Sequence, residues 1–198
     1  MLAPVDLAEP SVVRPDSVAT VLLSWRMPGS HWLITVSPEN YVITHGMHFS
    51  VLGLRSRHRK KAERVAVGDR VLYYVLQERT FPATATVTSA YFEDRHPTWI
   101  NNERRDDPFP YRVHTQPNIV LDAAEGLDAE AIAPRLLYLK RWPPEQWYLA
   151  LQGDVHLLSA QDFMLIEREM QRVLESRRSR RERPPHAAYD QPLSRTAS

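Results

Sequence analysis

Residues 31–36, HWLITV, and residues 71–76, VLYYVL, are the two apolar runs that decide the fold. The first is rich in β-branched and aromatic residues and ends at Ser37-Pro38-Glu39-Asn40, which we interpret as a turn. The second follows the turn residues Val67-Gly68-Asp69. A continuous apolar run of this length is typical of a strand buried on both faces, so we expect residues 71–76 to lie centrally in a sheet or barrel.

The chain after this central strand predicts a hairpin and then a long loop. Residues 83–92 alternate alanine, valine, serine and tyrosine with threonine, the period-2 pattern of a strand with one buried and one exposed face. Residues 93–110 are polar but carry Trp99 and Phe109, and a loop of this length is usually functional or disordered. Residues 111–121 predict another strand, in which Pro117 indicates a bulge or an edge position.

Helices and a second hairpin are expected in the remaining segments. Residues 58–66 and 129–139 are compatible with short helices. Residues 147–152 and 155–158 predict a short hairpin that turns at Gly153-Asp154.

A helix that packs against the sheet is expected to close the domain. Ser159 and Asp162 have the spacing of a capping box. The apolar residues that follow share one face of this helix: Phe163, Ile166, Met170, Val173 and Leu174. Residues 177–198 are rich in arginine and lack periodic apolar positions, so we expect a disordered tail.

The chain is therefore divided into an N-terminal extension (residues 1–30), one domain (residues 31–176) and the tail (residues 177–198). Residues 1–16 contain acids and prolines instead of a basic region followed by an apolar run, so no signal peptide is expected. The sequence also lacks an apolar stretch of the ~20 residues that a membrane helix needs, which predicts a soluble protein. The absence of cysteine favours a reducing cytoplasm.

Motifs for nucleotide-dependent, metal-dependent and hydrolytic chemistry are missing. The six glycines are scattered and form neither a dinucleotide-binding motif nor a phosphate-binding loop. His45 and His48, expected in a loop beside Gly46, are the one close histidine pair, without an HExxH motif or cysteine. No GxSxG motif is present. We therefore predict no metal, no cofactor, no catalytic residue and no enzymatic activity.

Aromatic and basic residues carry the chemistry that remains. A stacked base gains ~1–3 kcal/mol per aromatic partner, so aromatic side chains beside a basic strip suit the capture of a single base. The basic strip is residues 55–64, RSRHRKKAER, whose alternative role is a solvated face. Trp32 and Tyr74 fit a core position as well as a pocket. The aromatic residues at predicted strand ends and loops are Trp32, Tyr41, Phe49, Tyr73, Tyr74, Trp99, Phe109 and Tyr111.

The order of motifs along residues 31–175 resembles the EVE domain family. It begins with HWLITVSPENY (residues 31–41) and HGMHFSVLGLRSRHRKKAERVAVGDRVLYYV (residues 45–75), followed by the threonine-rich strand. It ends with VHLLSAQDFMLIEREM (residues 155–170). The resemblance implies an α+β fold, namely a PUA-like mixed β-barrel with peripheral helices, which the YTH and ASCH families share.

The resemblance also implies a non-enzymatic module that binds DNA or RNA. Its pocket would accept a flipped or single-stranded base, typically methylated or hydroxymethylated. Trp32 and Ser37 would form its wall, His45 and Gly46 its rim, and Tyr73 or Tyr74 its floor. Independently of the resemblance, we add Trp99 and Phe109 to this pocket, because they are aromatic residues in a long polar loop. The residues that would follow the phosphates are Arg55, Arg57, Arg59, Lys60 and Lys61.

Two other functions remain compatible with the sequence. One is a hydrolase of the ASCH type acting on modified nucleosides, which needs a catalytic lysine; the candidates are Lys60, Lys61 and Lys140, none at a predicted strand end. The other is an adaptor that binds protein through the arginine-rich tail.

Overall fold

A mixed β-sheet is the centre of the computed structural model, which describes residues 29–104, 106–121 and 126–182. The longest path through its hydrogen-bonded strands has the order β2-β6-β4-β3-β1-β8, with β5 beside β6 and β7 beside β4. Strands β1 and β3 are parallel, and the other pairs are antiparallel. The strands are β1 (His31–Val36), β2 (Val51–Leu54), β3 (Arg70–Val75), β4 (Thr80–Val87), β5 (Phe92–Glu93), β6 (Tyr111–Val120), β7 (Leu127–Asp128) and β8 (Val155–Leu158).

Helical segments connect and cover these strands, so the predicted α+β class is confirmed. The α-helices are α1 (Pro38–Gly46), α2 (Arg59–Ala62), α3 (Ala129–Ile132) and α4 (Ala160–Glu182). The 3₁₀ helices are Ser56–His58, Ala133–Arg135, Leu137–Leu139 and Pro144–Leu151. Within the described ranges, no helix combines the length and the apolar composition that a membrane span requires.

Strand β3 is central, as predicted, and its alternate side chains supply two separate cores. Val71, Tyr73 and Val75 belong to a cluster on one face of the sheet, together with residues of α1 and β2. Leu72 and Tyr74 belong to a cluster on the opposite face, where α4 packs. We call these the α1 face and the α4 face. Because successive side chains of a strand point to opposite faces, Tyr73 and Tyr74 cannot line the same cavity.

The segment interpreted as a turn after β1 begins helix α1 instead, so that prediction was wrong. The hydroxyl of Ser37 accepts a hydrogen bond from the backbone N–H of Asn40 at 3.3 Å, and Pro38 occupies the first turn. Serine before proline is a turn signal, but the same residues also make a favourable helix N-terminus. Helix α1 buries Asn40, Tyr41 and Thr44.

The predicted hairpin at residues 147–158 is also wrong. Pro144–Leu151 is a 3₁₀ helix that begins directly after Pro143, and it buries Trp147, Ala150 and Leu151. The buried positions have the i, i+3, i+4 spacing of a helix rather than the alternation of a strand. Strand β8 pairs instead with β1, where His31 is opposite Leu158.

Strand β4 is buried on both faces, against the prediction of one exposed face. Thr84 is fully buried because β4 lies between β3 and β6, and its hydroxyl donates to Glu167 of α4 at 3.2 Å. The predicted bulge at Pro117 is confirmed. Thr84 is opposite Ile119 and Ala85 is opposite Pro117, which leaves one extra residue in β6.

Helix α4 begins at the predicted position but continues beyond the predicted domain. The hydroxyl of Ser159 accepts from the N–H of Asp162 at 3.1 Å, while the Asp162 carboxylate accepts from the N–H groups of Leu137 and Tyr138. The helix extends to Glu182, the last residue that the structure describes, so residues 177–182 of the expected tail are helical. Residues 1–28 and 183–198 lie outside the described residues, and the predicted domain boundaries stay predictions.

Candidate functional site

A cavity of about 200 Å³ opens on the α1 face. It lies between the end of β1, helix α1, strand β2, the long loop before β6 and the turn before β8. Apolar side chains form its inner wall, while Trp99 and Phe109 of the long loop form an outer wall. The lining residues on which the discussion below depends are Ser37, Thr44, Gly53, Arg55, Tyr73, Trp99, Glu103, Phe109 and Asp154.

Arg112 of β6 holds the long loop against the sheet. Arg112 as a whole residue is 5% exposed. Its guanidinium pairs with the carboxylate of Asp94 and donates to the backbone oxygens of His96 and Phe109. Hydrogen bonds to charged groups contribute about 1.5–3 kcal/mol each. The bonds of Arg112 therefore stabilise a loop that lacks the backbone hydrogen bonds of a regular strand pair.

Four residues contact Trp99 and hold its ring in place. Its indole N–H donates to the hydroxyl of Thr44 in α1 at 2.9 Å. The guanidinium of Arg112 lies 5.2 Å from the ring centroid, and the ring of Phe109 lies 5.8 Å away. The indole also rests on Gly53 of β2, where a Cβ atom would stand 2.3 Å from the ring. The aromatic wall is therefore held in place in the absence of a ligand.

We expect Gly53→Ala to displace Trp99 from the cavity wall. The added methyl would occupy the space of the indole, and overpacking of this kind costs about 1–3 kcal/mol. Urea denaturation measures this loss, and a crystal structure of the variant shows the ring position. Gly46→Ala is the control, because a Cβ atom there meets nothing within 4 Å. An unmoved Trp99 in the Gly53→Ala structure contradicts the prediction.

Asn40 joins the long loop to helix α1. Its side-chain N–H₂ donates to the backbone oxygen of Ile100 at 2.8 Å, and its side-chain oxygen accepts from the N–H of the same residue at 2.8 Å. This reciprocal pair mimics a strand pair, because it satisfies both backbone groups of Ile100 with one buried side chain. The loop is thus anchored next to Trp99 on both its sheet side and its helix side.

Phe109 adopts a backbone conformation that non-glycine residues rarely use. Its φ angle is +56°, and it stands between Pro108 and Pro110. Its N–H donates to the buried carboxylate of Asp107 at 3.3 Å, and the guanidinium of Arg55 lies 5.4 Å from its ring centroid. Conformations of this type cost about 1–3 kcal/mol and persist where the surroundings impose them, often at ligand sites.

Ion pairs cross the mouth of the cavity. Arg57 donates to Asp154 at 2.7 Å and to Glu103 at 3.0 Å, and Arg55 donates to Glu103 at 2.7 Å. The ring of His58 lies 2.7 Å from the same oxygen of Asp154. Burial raises the pKa of Asp154, but the hydrogen bond from His58 and the charges of the two arginines outweigh it and hold that pKa below its ordinary value. The hydrogen bond from Arg55 likewise lowers the pKa of Glu103.

Four of the eight predicted pocket residues line this cavity, namely Ser37, Tyr73, Trp99 and Phe109. Burial raises the pKa of Tyr73, and the nearby Thr115 hydroxyl opposes that effect. Tyr73 therefore remains a neutral phenol at any physiological pH.

The other four predicted pocket residues lie elsewhere. Trp32 is a core residue whose indole N–H donates to Asp69 at 2.8 Å. Tyr74 is on the α4 face, where burial raises its pKa to about 12. His45 and Gly46 form the exposed last turn of α1, not the loop that we expected.

The predicted basic strip divides into two groups. Arg55 and Arg57 lie at the mouth of the cavity. Arg59 pairs with Glu63 at 2.9 Å, and the ammonium of Lys61 donates to the backbone oxygen of Val155 at 2.6 Å, with its pKa lowered by burial. Lys60 is exposed. The predicted phosphate contacts of these residues stay predictions.

Residues that the sequence analysis missed build the support of the site. Thr44, Gly53 and Arg112 position Trp99. Asn40 positions the long loop, and Asp154 pairs with Arg57 and His58 at the mouth of the cavity. Arg112 had no local signal, since its strand also carries His114, Thr115 and Gln116. Gly53 had one, since a glycine inside a strand indicates close approach of another group.

The curled mixed sheet, its covering helices and the aromatic cavity on one face define a PUA-like protein. The EVE domain model matches residues 30–141, more than half of the chain. The chain therefore belongs to the EVE domain family, which confirms the resemblance and the predicted fold. A comparison with curated proteins gives no match.

Solved structures with the same fold include an uncharacterised protein and a YTH domain. The structure of a hypothetical protein from Leishmania major has 18% identity and a TM-score of 0.52, with 73% of this chain and 96% of that chain covered. The YTH domain-containing protein Mmi1 in a complex with RNA has 12% identity and a TM-score of 0.52, with coverage of 78% and 87%. At these identities the likeness shows the fold alone.

Proposed function

We propose that this protein is a non-enzymatic nucleic-acid-binding module that holds one flipped or single-stranded base, methylated or hydroxymethylated, in the cavity on the α1 face. The observation that carries the proposal is the preformed aromatic wall. Trp99 and Phe109 keep their places through Thr44, Gly53 and Arg112, none of which requires a ligand. A wall fixed in advance saves the ligand the cost of ordering it.

The size and the lining of the cavity support a single base. Pockets for drug-sized ligands measure ~300–1,000 Å³, and this cavity of about 200 Å³ is smaller. Its aliphatic wall includes Ile34, Leu52 and Val155 opposite the aromatic residues. A methyl group buried against such a wall contributes about 0.8 kcal/mol, so the preference for a methylated base is a few-fold unless several walls contact the methyl.

The structural neighbours support a nucleic-acid ligand. The Mmi1 YTH domain, which shares the fold, is in a complex with RNA. In the present chain Arg55 lines the cavity, and Arg57 pairs with the lining residues Glu103 and Asp154; both arginines suit the phosphates beside a captured base.

The hydrolase alternative receives no comparable support. A catalytic lysine would have to reach the bound base, but Lys60, Lys61 and Lys140 do not line the cavity. Lys140 lines a separate groove with Trp142 and Trp147. Release of product from modified nucleosides, followed by chromatography, tests the alternative directly. The adaptor alternative depends on the tail, whose residues 183–198 lie outside the described ranges.

A panel of oligonucleotides tests the proposed function. Single-stranded DNA and RNA of one sequence would carry cytosine, 5-methylcytosine, 5-hydroxymethylcytosine, adenine or N6-methyladenine at one position. Fluorescence anisotropy at a fixed, stated salt concentration gives each dissociation constant, because phosphate contacts make the affinity salt-dependent. We expect one modified base to bind about 3- to 10-fold more tightly than its unmodified form, from one to two buried methyl equivalents. Equal affinities across the whole panel contradict the proposal.

A further inference from the structure

A second depression, of about 270 Å³, adjoins the mouth of the cavity. It shares Arg55 and Glu103 with the cavity, so the two spaces have a common wall. Its other lining residues are Arg57, Asn101, Arg104 and Asp107. Three of the six are arginines, which distinguishes its chemistry from that of the aromatic cavity.

The acidic residues of this depression are not equivalent. Asp107 is buried, and its carboxylate accepts from the N–H and the hydroxyl of Ser56 and from the N–H of Phe109. Those bonds hold the loop, and they leave Asp107 little capacity for an arginine. Glu103, in contrast, has a side chain that is 61% exposed, and among the described residues its carboxylate pairs with Arg55 and Arg57.

The two guanidiniums converge on one carboxylate oxygen of Glu103. Arg55 reaches it at 2.7 Å and Arg57 at 3.0 Å. Arg104 is exposed on the same depression, and its side chain has no partner among the described residues. Asn101 keeps this loop in shape, because its side-chain oxygen accepts from the N–H groups of Glu103 and Arg104. The depression therefore has the arginines of an anion-binding site, and the Glu103 carboxylate is the anion that they bind.

We propose that this depression is a phosphate subsite for the nucleotide whose base enters the cavity, and that Glu103 occupies it in the free protein. The inference rests on the proposed function and extends it. Arginine forks bind phosphate and carboxylate in the same bidentate geometry, so a phosphate can replace the Glu103 carboxylate on Arg55 and Arg57. Arg104 then supplies a third donor group.

The geometry allows this exchange without collapse of the site. Arg57 keeps its Nε and Nη2 bonds to Asp154, at 3.0 and 2.7 Å, when Glu103 leaves. Arg55 keeps its contact with the ring of Phe109. Glu103 itself is on an exposed loop, so its carboxylate can turn into solvent. The position of the phosphate is therefore set by side chains that are already fixed.

Glu103 makes nucleic-acid binding a competition. A phosphate that enters this subsite must displace the Glu103 carboxylate from Arg55 and Arg57. This displacement lowers the affinity of the protein for a ligand that places a phosphate there. A base that fills the aromatic cavity compensates for that loss. Glu103 would thus reduce binding to ordinary strands and raise the weight of the base contact in recognition.

Glu103→Gln, which keeps the size of the side chain and removes its charge, tests the subsite. The matched control is Glu169→Gln, because one carboxylate oxygen of Glu169 also pairs with two arginines, Arg135 and Arg172, and Glu169 lies outside both the depression and the predicted basic strip. The probes are inorganic phosphate, followed by NMR of the arginine Nε–H groups, and an unmodified single-stranded oligonucleotide, followed by anisotropy. The full chain is used throughout, and urea denaturation verifies that the variants fold.

We expect Glu103→Gln to bind the oligonucleotide about 5- to 10-fold more tightly than the parent protein, and Glu169→Gln to stay within about twofold, since surface ion pairs away from the site contribute little to binding. Arg104→Gln should weaken binding about 3- to 10-fold, as the loss of one phosphate contact does. Phosphate should shift the signals of Arg55 and Arg57 more strongly in Glu103→Gln than in the parent.

Equal effects of Glu103→Gln and Glu169→Gln, or unchanged binding in Arg104→Gln, overturn the subsite. These outcomes are independent of base modification. A panel without preference for any modified base, combined with the expected Glu103→Gln result, rejects the proposed function and retains the phosphate subsite.

Discussion

Replacement of Trp99 by alanine is expected to weaken binding of the preferred oligonucleotide by about 10- to 100-fold. Stacking on one aromatic side chain contributes ~1–3 kcal/mol per base, and each 1.4 kcal/mol is a factor of ten in affinity. Trp99 is the largest side chain in the outer wall of the cavity, and it supports Phe109 through ring contact. Its removal therefore takes away one stacking surface and loosens the second. Anisotropy titrations at one salt concentration measure the loss.

Trp142→Ala is the matched control for this variant. Trp142 is 41% exposed and lines the separate groove beside Lys140, so its loss should leave binding within about twofold of the parent, as for a surface residue outside the interface. Trp99→Phe should retain part of the affinity, because phenylalanine stacks but cannot donate to Thr44. Undiminished binding in a folded Trp99→Ala protein would remove Trp99 from the site.

The central strand shows how much of the site a sequence can predict. The run from Val71 to Leu76 correctly predicts a buried strand in the middle of the sheet. The same run carries Tyr73 and Tyr74 as neighbours, and alternation alone requires them to lie on opposite faces. The strand alone does not indicate whether Tyr73 or Tyr74 lines the cavity, because apolar cores cover both faces of the sheet.

The long loop shows why the remainder of the site could not be predicted. Its length and its polar composition with two aromatic residues predicted a functional or disordered segment; the structure gives it a defined conformation, and its function stays a prediction. Its conformation depends on contacts with α1 and with β6, such as Asn40 with Ile100 and Arg112 with His96. These contacts join residues that are far apart in the chain, and no local propensity encodes them. The ion pairs of Glu103 depend on the same placement of the loop.

Local ambiguity explains the missed helix α1. Ser37 followed by Pro38 is compatible with a turn and with a helix N-terminus. The sheet decides between them, because the helical conformation buries Tyr41 and Thr44 on the α1 face and places Thr44 where Trp99 can donate to it. The local sequence is compatible with both conformations, and tertiary packing selects the helix.

Asp69→Ala is expected to produce the largest loss of stability, about 3–5 kcal/mol. The carboxylate of Asp69 is buried and accepts from the indole of Trp32 at 2.8 Å and from the N–H groups of Ser30 and Ala66 at 2.9 and 3.0 Å. Alanine leaves all three donors without a partner, and each buried unsatisfied donor costs about 1–3 kcal/mol. The effects are not additive, because water can enter near Ser30. Urea denaturation gives the free energy of unfolding.

The comparison of two substitutions separates hydrogen bonding from packing. Asp69→Asn keeps one acceptor oxygen, so it should lose about half as much stability as Asp69→Ala. Asp106→Ala removes an exposed aspartate that does not line the cavity, and it should change stability by less than about 0.5 kcal/mol. Trp32→Ala should also unfold more readily than the parent, since Trp32 shares the Asp69 network and is 2% exposed. A stable Trp32→Ala protein with impaired base binding would instead return Trp32 to the site, contrary to its place in the core.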